Sequence, residues 1–336
     1  MKNFLMFASI VASSLFCSVS VCAQAQSLPR PKFHHLQLNS VDPDSAIAFY
    51  RKEFLSTSTT TWEGMPALAS PDNVLIVFNK VARPPQANPN ITAYWHFGWN
   101  VGDSRKRMEV FRAHGVLAPF YTDDQGDFVG ISSDTYPYPP EVPGRTRVQL
   151  AEAKAQNLQP SHRGGNGYIL GPDGAIIEYT NSEAERVDHV HMWEENPVCA
   201  QLWYQTHLEA TPRRAGRGAG DAAPAPTEAT CKQPRGVEPS WPSLTKEGTY
   251  RSPTAGVSFS GVALNWYPNQ GSRPLETTRG HLMDHVGLSV TDLDAWVAKL
   301  KREGVTFLDQ PHKLGDTRAA MIEGPSREAI ELVEVK

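Results

Sequence analysis

The chain has 336 residues, 32 Lys and Arg against 36 Asp and Glu, a formal charge of -4 and 40% hydrophobic residues. That is enough apolar material for a sizeable core, and at about 150 residues per domain it suggests two domains. A charge so near neutrality excludes nucleic acid or an anionic membrane as a partner held by a basic surface. At the N-terminus Lys2 precedes an apolar and small-residue run over residues 4–22, and Ala23-Gln24-Ala25 has the small-x-small form of a signal-peptidase site. Residues 1–25 are therefore expected to be a signal peptide and the protein to be periplasmic or secreted, with an uncleaved anchor helix as the alternative. No later segment approaches 18 apolar residues, so no stable membrane anchor is expected in the mature chain. Export would leave Cys199 and Cys231 in an oxidising compartment, where a pair tends to close. Two unconnected thiols are the other reading.

A repeat runs through the remainder, in which a short strand carrying a histidine leads to a helix cap seven residues later. The first unit has His35-Leu-Gln-Leu38, then Asp42, Pro43, the aromatic pair Phe49-Tyr50 in its helix and a strand near residues 74–78. The second has His96-Phe-Gly-Trp99, then Asp103, a helix stopped at Gly115, and strands near 168–170 and 175–179. It is enlarged by a proline-rich stretch over 136–160, with a helical piece expected at 149–157. The third has His189-Val-His-Met192, then Asn196, Pro197, the pair Trp203-Tyr204, and strand character over 257–266. A Gly/Ala/Pro-rich insert over about 210–253 interrupts it. The fourth has His285-Val-Gly-Leu288, then Asp292, a helix stopped at Gly304, and a strand over 329–335. Asp and Asn are good N-caps, proline is tolerated at the next position, and a glycine past the last turn permits a left-handed stop. Odd units match odd and even match even. The simplest account is an α+β protein of four βαβββ modules, a two-unit domain duplicated in tandem over residues 32–182 and 186–336.

Paired βαβββ units that each open with a strand histidine, with Gly171-Pro-Asp-Gly174 and Glu178 closing the second, resemble the vicinal oxygen chelate superfamily. That group contains glyoxalases, extradiol dioxygenases, epimerases and antibiotic-resistance proteins, on curved, mostly antiparallel sheets. Carried over by position, the resemblance implies metal ligands His35, His96 and Glu178 in the first domain and His189, His285 and Glu331 in the second. Two imidazoles and a carboxylate suit non-haem iron(II), while manganese, zinc, nickel or cobalt can occupy similar ligands. The odd units lack a carboxylate at the end of their last strands (Val77-Phe78-Asn79 and Leu264-Asn265-Trp266), so the resemblance leans toward three-ligand members such as dioxygenases.

Residues 168–178 resemble the extradiol signature, which implies that Tyr168 could orient a substrate oxygen and His162 could move a proton; a purely structural tyrosine is the other reading. His191, two residues past His189 and so on the same strand face, could be a general base, a filler or an alternative ligand. His34, His114, His207, His281 and His312 have no repeat partners and are read as ordinary. The expected function is a secreted metalloenzyme for a small substrate with vicinal oxygens, with extradiol-type cleavage favoured. A glyoxalase-type lyase or isomerase, or a metal-free binding protein of the bleomycin-resistance kind, is the alternative.

Overall fold

The computed structural model describes residues 28–86, 91–118, 155–156, 166–213, 227–231, 255–269 and 274–335. The expected signal peptide, nearly all of the proline-rich stretch with its helical piece, His162, and most of the Gly/Ala/Pro-rich insert lie outside the described residues.

The protein is α+β, with two mixed sheets built from βαβββ-like modules. The first unit supplies β1 (Lys32–Ser40), α1 (Pro43–Glu53), β2 (Ser58–Trp62), β3 (Met65–Ala69) and β4 (Leu75–Lys80). The second supplies β5 (Tyr94–Gly102), α2 (Ser104–Ala113), β6 (Asn166–Leu170) and β7 (Ile176–Thr180). The third has β8 (Ser182–Glu194), α3 (Pro197–Leu208), β9 (Thr211–Arg213), a short helical turn α4 (Glu228–Cys231), β10 (Ala255–Phe259) and β11 (Val262–Pro268). The fourth has β12 (Met283–Val290), α5 (Leu293–Arg302), β13 (Phe307–Leu314), β14 (Thr317–Glu323) and β15 (Ala329–Glu334).

The helix boundaries follow from local chemistry. Asp42, Asp103, Asn196 and Asp292 each accept a backbone N–H from the first turn of the helix they precede. Gly115 and Gly304 have φ of 70° and 76°, and the residues after them bond back to Phe111 and Leu300, closing both even-unit helices with the same left-handed cap. The strand character over 257–266 is a hairpin, broken where Ser260 and Gly261 take positive φ. Thr211–Arg213 forms an edge strand paired with β10, so the sheet takes in the start of the expected insert. Cys199 in α3 and Cys231 in α4 are joined by a disulfide, with Cα atoms 5.6 Å apart.

The sheets do not divide the chain at residue 182, as the tandem reading had it. One sheet, in the order β13-β14-β15-β12-β1-β4-β3-β2, joins units one and four; the other, β6-β7-β5-β8-β11-β10-β9, joins units two and three. Connector length explains the difference. Only Asn181 separates β7 from β8, which keeps units two and three in one sheet, whereas residues 81–93 and 269–282 give the chain enough length to cross between sheets.

The consecutive halves still pack through their helices. Tyr50 lies 5.7 Å from Phe78 of its own unit and 6.1 Å from Phe97 of unit two, and Phe54 stacks on Trp99 at 4.4 Å. Tyr204 contacts Trp266 and donates a 2.7 Å hydrogen bond to Glu328 of unit four. Tyr50 is thus a buried wedge between the two sheets and Tyr204 one between β11 and the turn before β15, and each aromatic contact adds about 0.5–1.5 kcal/mol beyond the area it buries. Tyr94 ties the sheets together directly, its hydroxyl donating to Ala329 O at 2.7 Å and accepting from Val286 N at 3.3 Å.

Candidate metal centres

Each sheet has a central antiparallel pair made by the first strands of its two units, β1 with β12 and β5 with β8. The strand histidines fall on these pairs, and the register places two residues from each strand in a small square. On one, His35 faces Gly287 and Gln37 faces His285; on the other, His189 faces Gly98 and His191 faces His96. The glycines are required. A Cβ on Gly98 would lie 1.9 Å from the His189 ring, and one on Gly287 would lie 2.0 Å from the His35 ring. The flanking parallel strands then set Glu178 beside Gly98 and Glu331 beside Gly287.

Two buried clusters result. Centre I consists of His35, His285 and Glu331, and centre II of His96, Glu178, His189 and His191. The ligand sets drawn from the tandem reading therefore exchange one member each: His35 belongs with His285 and Glu331, and His189 with His96 and Glu178. This follows from the crossed pairing of the units. In centre I the two Nε2 atoms are 3.3 Å apart and lie 3.5 and 3.8 Å from Glu331 Oε2. In centre II, His96 Nε2, His189 Nε2 and His191 Nδ1 lie 3.0, 3.1 and 3.3 Å from Glu178 Oε2, and His191 Nδ1 is 2.8 Å from His96 Nε2. Donors bound at about 2.0–2.2 Å to one first-row ion stand roughly 3.0–3.6 Å apart; five of these seven separations fall in that range and the other two, 3.8 and 2.8 Å, lie just outside it, so small shifts of the rings would let either set hold a divalent metal. By register, Val77 and Asn265 stand where a carboxylate on the odd unit's last strand would complete a symmetric set.

Electrostatics separate the centres. Burial holds His35 well below its ordinary value, helped by His285 and His34, and burial raises Glu331. In centre II, burial lowers His96, and burial with the neighbouring His189 brings His191 down to about 3. Burial opposes charge on Glu178 and His189 as well, but they stabilise each other. Glu178 ends well below the usual carboxylate range, and His189, paired also with Asp188, is raised to about 10.

Tyr168 pairs with Glu178 across β6 and β7, and its ring meets the edge of His96 at 5.4 Å, so it stands beside centre II. Met321 holds the corresponding place beside Glu331 in centre I. Of the histidines read as ordinary, His114 and His207 place Nδ1 at hydrogen-bond distance, 2.8 Å, from the carboxylates of Glu53 and Glu303. His34 stands beside centre I. Its Nδ1 lies 2.9 Å from His35 Nδ1, and its ring packs on Trp62 at 4.5 Å.

His34 is one of four residues with the same placement. The β1–β12 ladder skips His34 and Asp284, and the β5–β8 ladder skips Trp95 and Asp188. Each skipped residue immediately precedes a histidine of the repeat. Asp188 Oδ1 is 2.9 Å from His189 Nδ1, Asp284 Oδ1 is 2.7 Å from His285 Nδ1, and the Trp95 ring meets His96 at 4.5 Å. Sequence reasoning passed over Trp95, Asp188 and Asp284, although their position directly before a repeat histidine was a readable signal.

Residues 186–332 match the family model of the Glyoxalase/Bleomycin resistance protein/Dioxygenase superfamily. That segment, units three and four, belongs to the superfamily. No curated relative matches it. A likeness of fold extends over the first half too. Glyoxalase I from Zea mays is similar in structure over 90% of this chain and 92% of its own, with a TM-score of 0.56 at 16% identity. A mutant form of that same enzyme gives 0.57 over the same shares, also at 16% identity. A putative dioxygenase from Bacillus subtilis subsp. subtilis str. 168 gives 0.53 at 9% identity, over 92% of this chain and 86% of its own. Superfamily members bind small molecules and usually depend on a metal, in keeping with the two buried clusters. Among the described residues no helix is long and apolar enough to cross a membrane.

Proposed function

We propose that the protein is a divalent-metal-dependent enzyme for a small substrate with two adjacent oxygens, that extradiol-type ring cleavage is its chemistry, and that centre I is its reactive centre. The observation that carries this reading is the convergence of two imidazole Nε2 atoms and one carboxylate oxygen, buried and within 3.8 Å of one another. Three protein donors leave the remaining coordination positions to ligands from outside, and this set suits iron(II) before manganese, zinc, nickel or cobalt. A divalent ion held there supplies Lewis acidity to the two substrate oxygens. The chain's own part is to keep the donors fixed and dry, and to set Arg279 over Met321, with 3.0 Å between Nη1 and Sδ, as a cation beside the strand that carries Glu331.

Centre II supports a second reading, favoured by the Tyr168 contact with His96. There Tyr168 would orient a substrate oxygen, and His191 would hold a proton instead of serving as a fourth ligand. The four-donor arrangement argues for retention of an ion more than for turnover, which places centre II behind centre I.

The export expected from residues 1–25 remains part of the proposal, and the Cys199–Cys231 bond supports it, since such bonds persist in oxidising compartments. The test is elemental analysis of anaerobically purified protein, followed by oxygen uptake with a panel of catechols. Two ions per chain and uptake lost in His285→Ala but kept in His96→Ala are expected. The reverse pattern selects centre II. Protein with no metal removes the enzyme reading in favour of a binding protein, and conversion of a 2-oxoaldehyde–thiol adduct without oxygen uptake selects the glyoxalase alternative.

A further inference from the structure

Neighbouring residues on a regular strand point to opposite faces, so a side chain does not ordinarily touch the ring of the residue after it. A bulge removes that restriction, because the extra residue leaves the ladder and its side chain is re-aimed. All four first strands carry a bulge at the same place, one residue before a histidine of the two centres. The repetition makes the bulge a property of the module, and the occupants differ: His34, Trp95, Asp188 and Asp284. One carboxylate falls in each centre.

We propose that Asp188 and Asp284 are positioning residues, inserted as bulges so that each carboxylate takes the Nδ1–H of the following imidazole and leaves its Nε2 turned into the centre. The proposal rests on the metal reading above. A carboxylate on the far ring nitrogen fixes the tautomer and the ring plane and makes the ligating nitrogen a stronger donor. His189 and His285 have that support, whereas His96 Nδ1 is buried with no hydrogen-bond partner among the described residues. Asp284 is itself held in place: its Oδ2 accepts Gly280 N at 2.6 Å and Asn39 Nδ2 at 3.3 Å, and Asn39 Oδ1 accepts from Asn79 at 2.7 Å. Asp188 bonds only His189 among the described residues, so changing it disturbs little else.

The test uses the full chain reduced to one centre at a time and reads cobalt(II) by its visible absorption and by competition with a chromophoric chelator. In a His285→Ala background, which leaves centre II, Asp188→Ala is expected to weaken cobalt(II) binding by about 10–100-fold and to shift the absorption bands. In a His96→Ala background, which leaves centre I, Asp284→Asn is expected to do the same. Affinity within twofold of the single-centre parent, with an unchanged spectrum, overturns the positioning role while leaving the metal reading intact. Parents that bind no cobalt(II) overturn both. Should Asp284→Asn fail to fold because the Gly280 turn is lost, the Asp188→Ala result decides alone.

Discussion

The His189 imidazole fills the space in which a Gly98 side chain would stand, its Cε1 only 1.9 Å from where that Cβ would lie. Gly287 stands in the same relation to His35. A Gly98→Ala substitution must push the ring or the strand aside, and overpacking of this kind costs about 1–3 kcal/mol. The expected result is a folded protein that loses the ion of centre II and keeps that of centre I; Gly287→Ala should do the opposite. Metal counts per chain, with a thermal melt as control, check both.

The crossed pairing of the units makes a sharper prediction. His35→Ala and His285→Ala, 250 positions apart, should empty the same centre, and the double variant should lose no more metal than either single one. His35→Ala combined with His96→Ala should empty both. If the His35 and His96 substitutions instead act on one shared ion, the sheets are paired as consecutive halves.

The modules could be read from the sequence because each marks its own start: a histidine, a cap seven residues on, and a proline or a glycine stop. The pairing of modules could not. Each square needs one strand with glycine two residues past its histidine, as in units two and four, and one strand without it, as in units one and three. Both the consecutive pairing and the crossed one satisfy that rule. The choice is made by connector length, a single residue at Asn181 against the long spans 81–93 and 269–282, and no single unit's pattern records it. His191 was visible as a side chain on the ligand face, but its role depended on which histidine stood opposite, and that proved to be His96.

Glu328 gives the stability a distinctive pH dependence. Its carboxylate is fully buried between units three and four, bonded by Tyr204 and the Ser326 N–H, and burial pushes it up to about 7. A carboxyl raised above its unfolded value of about 4.5 binds its proton more tightly in the folded protein. The stabilisation is complete below pH 4.5 and lost as pH rises through 7, to a total of about 3 kcal/mol. Denaturant unfolding in the presence of a chelator should therefore show wild type losing stability from pH 5 to pH 8 relative to Glu328→Gln. Parallel curves for the two proteins would count against this role.

The disulfide closes a loop of sequence separation 32 and fastens α4 to α3. Loop-closure arguments give it about 3–4 kcal/mol. Reduction, or Cys199→Ser, should lower the denaturation midpoint accordingly. The untreated protein, denatured without reductant, should show no reactive thiol from either position. Titration of two thiols under those conditions would be the contrary result.

The nesting of one sheet within the other in chain order also bears on how the protein is assembled. The strands of units two and three follow one another, so their central pair can zip as soon as β8 leaves the ribosome. Strand β1 must wait for β12, and until then one of its edges presents unpaired backbone to any passing strand. Closing a loop that long costs little more than closing one half its length, so the delay is a matter of time more than of final stability. Pulse-labelled hydrogen exchange during refolding should protect the β5–β8 amides before those of β1–β12. The fourth unit would then complete both the outer sheet and the donor set that includes His35.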